Sequence, residues 1–174
     1  MNWRARSSVF LAAGLLLLSA AFHAASAQQR LGRYPADPTR VSISGISSGA
    51  FMANQVHVAH SAGIIGAGII AGGLYGCAVD SVTRDGVQGM ASTATGACMT
   101  VPSRLLAVDD YVARIKQFAT AGWIDPIASL AHARLYAFTG QADSVVNPAT
   151  VERGVAVYNA LGLPASADIF SDKK

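Results

Sequence analysis

The sequence predicts an α/β fold with a mainly parallel sheet, and three observations predict it. Strand-like and helix-like stretches alternate from Arg40 to the end of the chain. Residues 63–73, Gly-Ile-Ile-Gly-Ala-Gly-Ile-Ile-Ala-Gly-Gly, are short, apolar and glycine-rich, as in a buried strand that other backbones approach closely. Leu105, Val108, Val112, Ile115 and Phe118 step by three and four, the period of a helix with one buried face. The 174 residues suffice for one domain and fall short of two ordinary ones. Hydrophobic residues make up 52% and charged ones 13%, which excludes a disordered chain.

The first segment is a targeting signal by its pattern. Arg4 and Arg6 precede an apolar run from Val9 to Phe22, and Ala25-Ser26-Ala27 supplies small residues before Gln28. These are the three parts of a secretory signal peptide in order. Residues 1–27 are therefore expected to be removed, and residues 28–174 to be exported, extracellular or periplasmic. The apolar run is short for a membrane span of about 20 residues, so no membrane association is expected after cleavage. Without Arg4 and Arg6 the net charge falls from +3 to +1. No basic run interleaved with aromatics points to nucleic acid.

Residues 28–39, broken by Pro35 and Pro38, read as an extended lead-in. Arg40 to Ser44 alternates Val41 and Ile43 with polar residues, the pattern of a strand. Gly45 to Gly49 is a tight turn, and Ala50 to about His60 suits a helix. After the strand in 63–73, residues 76–102 are rich in Gly, Ser, Thr and Asp and read as a long covering loop. Ser103 is placed to cap a helix from Arg104 to Thr120, closed by Gly122. Arg134 to Phe138 is a short strand, followed by the loop Gly140-Gln141-Ala142-Asp143. Pro148 opens a helix that runs to about Leu161, with Gly162 closing it. Ala167 to Phe170 begins another strand. The two cysteines, Cys77 and Cys98, bracket most of the long loop. In an exported chain they are expected to form a disulfide contributing about 3 kcal/mol. No His or Cys cluster has metal-ligand spacing, and no cofactor is expected.

Gly45-Ile46-Ser47-Ser48-Gly49 is a G-x-S-x-G element. The bare pattern is weak in a chain rich in Gly and Ser. A strand-like run just before it and a helix-like run just after it are the context its chemistry needs. There a serine sits on a strained strand-to-helix turn, flanked by glycines because larger side chains would clash. Its Oγ is exposed above the sheet, near helix N–H groups that can hold an oxyanion. This is the arrangement of the α/β-hydrolase type, with Ser47 as nucleophile. Asp143, after a strand and before a helix, is the best candidate for the orienting acid. Its other reading is turn chemistry before Pro148. Asp125 is weaker because it precedes the strand. No histidine follows Asp143. His23 leaves with the signal peptide, His57 and His60 sit far down the helix after Ser47, and His132 lies ahead of the Asp143 strand. Each of these reads as structural or solvated rather than as the base, which must reach the serine Oγ at hydrogen-bond distance. Only about a dozen mature residues precede Arg40, so the strand order is expected to be permuted.

Residues Val41 to Ala53, Val-Ser-Ile-Ser-Gly-Ile-Ser-Ser-Gly-Ala-Phe-Met-Ala, resemble the nucleophile segment of polyhydroxybutyrate (PHB) depolymerases with a circularly permuted catalytic domain. Gly140 to Pro148 resembles that family's acid loop. The resemblance covers about residues 40–174. It implies Ser47 as nucleophile, Asp143 as triad acid and the Ser48 backbone N–H as one oxyanion donor. It implies a catalytic histidine and a second donor beyond Lys174, so that residues 28–174 are expected to be the N-terminal part of a catalytic domain, with its sheet incomplete. The substrate it implies is poly(3-hydroxybutyrate), a similar short-chain polyester, or its oligomers. Two other readings stand beside it: a truncated, non-catalytic secreted protein, and another carboxylesterase such as a feruloyl-type enzyme.

Overall fold

The computed structural model describes residues 32–163 and 169–172; the signal-peptide reading and residues 28–31 lie outside them. Four parallel strands form one sheet in chain order: β1 (Val41–Ile46), β2 (Ile64–Ile70), β3 (Arg134–Gly140) and β4 (Ile169–Asp172). Among the described strands the sheet order is the chain order, so the expected permutation is not seen among them. Four helices accompany the sheet: α1 (Ser48–Ala59), α2 (Val79–Thr95), α3 (Val108–Thr120) and α4 (Pro148–Ala160). Strand, helix, strand order with parallel pairing is what the alternating sequence pattern predicts.

In-register pairing sets the two faces of the sheet. Ile43, Ala67 and Leu135 are aligned, and Ile69 is aligned with Ala137. These side chains join the core with Ala50, Ala53 and Val58 of α1, Tyr111 and Ile115 of α3, and Val151, Val155 and Tyr158 of α4. Helix α1 lies on β1 and β2, α4 lies on β3, and α3 lies on α4. The opposite face aligns Ser42, Gly66 and Arg134, then Ser44, Gly68 and Tyr136. It is an open groove of ~630 Å³ lined by those residues.

Two sequence expectations are corrected. Residues 76–102 are largely helical: α2 runs through them, interrupted at Gly86, whose φ of 65° breaks the helical path. Their Gly, Ser and Thr content is weak for a helix in isolation. Here a disulfide joins Cys77 and Cys98, 21 residues apart, and ties the two ends of the excursion together. Ser103 is not the cap of α3. It lies in the 3-10 turn Pro102–Arg104, and α3 begins at Val108 after Ala107 with no side-chain cap. Asp109 and Asp110 in its first turn meet the positive helix end instead. The other expected ends hold: Gly122 and Gly162 adopt positive φ after α3 and α4, and Asn147 caps α4 by accepting from the Ala149 N–H.

Candidate active site

Ser47 lies between β1 and α1. Its φ of 54° and ψ of −124° lie outside the ordinary range of an L-residue. Strain of this kind persists only where the surroundings enforce it. Here the Ser47 N–H donates to the Ile70 carbonyl at 2.9 Å, holding the turn to the end of β2. The Ser47 carbonyl accepts from the Ala50 and Phe51 N–H groups, which starts α1. A Cβ on Gly45 would run into the Gly49 carbonyl group and come within 2.7 Å of the Ala50 nitrogen. Gly45 is therefore required by close approach. The expected clash at Gly49 is not found, because a Cβ there meets nothing within 4 Å. Ser48 is the first residue of α1. Its N–H belongs to the first turn, where helix donors have no intrahelical acceptor.

The chain after β2 passes over α1. Gly72 and Gly73 lie so near Ala50 and the Phe51 ring that neither position has room for a Cβ. Asn54 donates to the Gly73 carbonyl at 2.8 Å. Gln55 latches the same stretch: its Nε2 donates to the Phe51 and Leu74 carbonyls, and its Oε1 accepts from the Gly76 N–H at 2.8 Å. Sequence reasoning missed this latch, and nothing in the spacing of Gln55 marks it.

Asp143 follows β3 at the same, C-terminal, end of the sheet as Ser47. Its Oδ1 accepts from the Val145 and Val146 N–H groups, both at 2.9 Å. Both bonds fall on Oδ1, and the carboxylate is half-buried. The loop is tied to the segment after α2 by the Asn147 N–H donating to the Met99 carbonyl. One strand separates β1 from β3. Strand axes two places apart are about 9–10 Å apart, a gap that an imidazole bridging serine and carboxylate fits. Asp125, the weaker acid candidate, instead accepts from the Ala62 N–H at the base of α1.

None of the described histidines reaches this site. His57 is fully buried, and its Nδ1 shares a 2.9 Å hydrogen bond with the Tyr158 hydroxyl. Burial pushes its pKa down to about 4, and pushes the Tyr158 hydroxyl up. His60 caps the far end of α1, a helix of 12 residues, or about 18 Å. His132 lies before the start of β3, beside Ser61 and Ile64 at the opposite sheet end.

A cavity of ~470 Å³ opens beside Ser47, walled by α1, α2 and the disulfide. Sequence reasoning missed it because it read α2 as a loop. Among the described residues no group of three His, Cys, Asp or Glu is placed to hold a metal ion. No helix among them is long and apolar enough to cross a membrane.

A parallel sheet, a strained serine between its first strand and helix, and an acidic loop two strands away at the same sheet end define the α/β-hydrolase fold. No protein-family model matches the chain. The poly(3-hydroxybutyrate) depolymerase of Delftia acidovorans is 37% identical over 135 residues, covering 77% of this chain and 25% of that protein. The polyhydroxybutyrate depolymerase of Talaromyces funiculosus is 34% identical over 138 residues, covering 78% of this chain and 35% of that protein. A serine-to-alanine PHB depolymerase complexed with an R3HB trimer superposes with a TM-score of 0.64 at 26% identity, over 82% of this chain and 41% of that one. The PHB depolymerase from Penicillium funiculosum superposes with a TM-score of 0.62 at 28% identity, over 78% and 38%. Over the part that it spans, the chain belongs to the polyhydroxybutyrate depolymerase family. It spans between a quarter and about a third of the length of these curated relatives.

Proposed function

We propose that this chain carries the nucleophile and acid of a secreted serine esterase acting on poly(3-hydroxybutyrate), a similar short-chain polyester or its oligomers. The observation that carries the reading is the left-handed Ser47, pinned to β2 at the first turn of α1. In this reading Ser47 Oγ attacks the ester carbonyl, and a histidine takes its proton. The Ser48 N–H donates to the oxyanion, and Asp143 holds the imidazole in place. The alcohol leaves with the proton from the histidine, and water then releases the acyl group from Ser47. Export rests on the pattern of residues 1–27. The substrate rests on what the relatives' names say of them.

A second reading follows from one observation: no described histidine approaches Ser47. In that reading the chain presents the site without turnover. Labelling with a fluorophosphonate, with and without added imidazole and with a Ser47→Ala control, decides between them. Imidazole supplies a base from solution. Labelling that depends on Ser47, rises with imidazole and falls in Asp143→Ala supports the esterase reading. Labelling equal in wild type and Ser47→Ala, at every imidazole concentration, overturns it.

A further inference from the structure

The ~470 Å³ cavity beside Ser47 has walls that select for one chemistry. Phe51 and Met52 come from α1, Leu74 from the segment after β2, and Met90 and Ala94 from α2, with Met99 after it. The disulfide between Cys77 and Cys98 forms part of the same wall, so neither sulfur can act as a thiol donor. Gln55 is the one amide side chain in the lining, and both ends of it are spent on backbone groups. The hydroxyls of Ser47 and Ser48 stand where the cavity meets the turn. Among the described residues, the rest of the lining is hydrocarbon, thioether and backbone.

Size adds a second constraint. A methylene needs about the room of a water molecule, ~30 Å³. The cavity is therefore far larger than the methyl branch of a hydroxybutyrate unit. Methionines suit a flexible hydrocarbon because their thioether side chains adapt to its shape.

We infer that the cavity holds the aliphatic chain of an acyl group longer than butyryl, with the ester carbonyl at Ser47. The inference rests on reading Ser47 as the nucleophile. It extends the substrate class to esters and polyesters whose aliphatic chains are longer than methyl.

Calorimetric titration of the full chain carrying Ser47→Ala with butyrate, hexanoate and octanoate, below their micelle concentrations, tests this without needing a competent nucleophile. Affinity is expected to rise about two- to fourfold per added methylene. Ala94→Phe, which fills the cavity, is expected to weaken octanoate at least about tenfold and butyrate little. Met90→Ser, on a partly exposed wall, is expected to weaken octanoate severalfold with an unchanged melting curve. It decides the matter should Ala94→Phe not fold. A flat series overturns the inference. So does a series equally steep in both cavity variants, which puts the chain elsewhere. Failure of Ser47-dependent probe labelling bears on the nucleophile reading alone, because these titrations do not use the serine.

Discussion

At Ser47 the backbone takes a conformation that costs about 1–3 kcal/mol in an ordinary residue, and its neighbours show how it is held. The two glycines of the G-x-S-x-G element look equivalent in the sequence and are not. Gly45 faces the backbone of Gly49 and Ala50, which cannot yield, whereas Gly49 faces open space in the first turn of α1. Gly45→Ala is therefore expected to lower stability by about 3 kcal/mol or more. Gly49→Ala is expected to be neutral or to gain up to about 1 kcal/mol, because alanine is the better helix former. Urea denaturation of the two variants checks the contrast, and equal losses would mean that the turn is held differently. The motif was legible because strand, turn and helix each announce themselves locally. Which glycine matters depends on where residue 49 passes residue 45, and pattern matching does not carry that distance. Asp143 was legible as a residue at a strand end. Its two bonds to the Val145 and Val146 N–H groups show that it shapes its own loop as well.

Among the elements, β1, β2, β3, α1 and α4 were legible because period, glycine stops and Pro148 all agree locally. Helix α2 was not, because its residues favour turns and what holds it is a covalent tie between distant positions. The Cys77–Cys98 bond closes a loop with 21 residues of separation, worth about 3 kcal/mol in the unfolded-chain model. Reduction, or Cys77→Ser with Cys98→Ser, is expected to lower Tm by about 10 °C, measured by circular dichroism with and without reductant. An unchanged Tm would show that α2 stands on packing alone. A second tie links α1 to α4 through the buried His57 and Tyr158. Nothing in the spacing of residues 101 apart could have paired them. Burial holds the folded His57 pKa at about 4, below its ordinary 6.5. The unfolded chain thus binds the proton first as pH falls. This contribution to stability is intact above pH 6.5 and is lost between 6.5 and 4, an effect of about 2–3 kcal/mol. Denaturation at pH 7, 5.5 and 4 is expected to show the loss in wild type and a smaller one in His57→Gln. Equal pH dependence in both would place the sensitive group elsewhere.

Among the described residues the two faces of the sheet differ. Parallel sheets almost always carry cover on both faces, yet here α1, α3 and α4 join the core on one face. The other is the open groove of Ser42, Ser44, Gly66, Gly68, Arg134 and Tyr136. Glycine and serine at facing positions leave a shallow surface on which another element can come close to the backbone. Ile46 and Tyr136 are exposed large side chains, and Ile46 pairs in register with Ile70 and Tyr136 with Gly68 on this face. Edge strands and open apolar surface of this kind favour association between copies. The sequence pattern marks which residues alternate along each strand, but whether a face is covered depends on how many helices reach it. The chain without residues 1–27 is therefore expected to self-associate at tens of micromolar (on the order of 10 µM and above) in sedimentation velocity. Tyr136→Lys with Ser42→Lys puts like charges on both copies of a face that pairs with itself. It is expected to weaken association by about tenfold or more, while leaving the buried face and the melting curve unchanged. Should wild type sediment as a monomer and melt cooperatively, the open face is tolerated by the folded chain and needs no cover. Should both proteins associate equally, the contact runs through the strand edges instead, and charges on the face would not touch it.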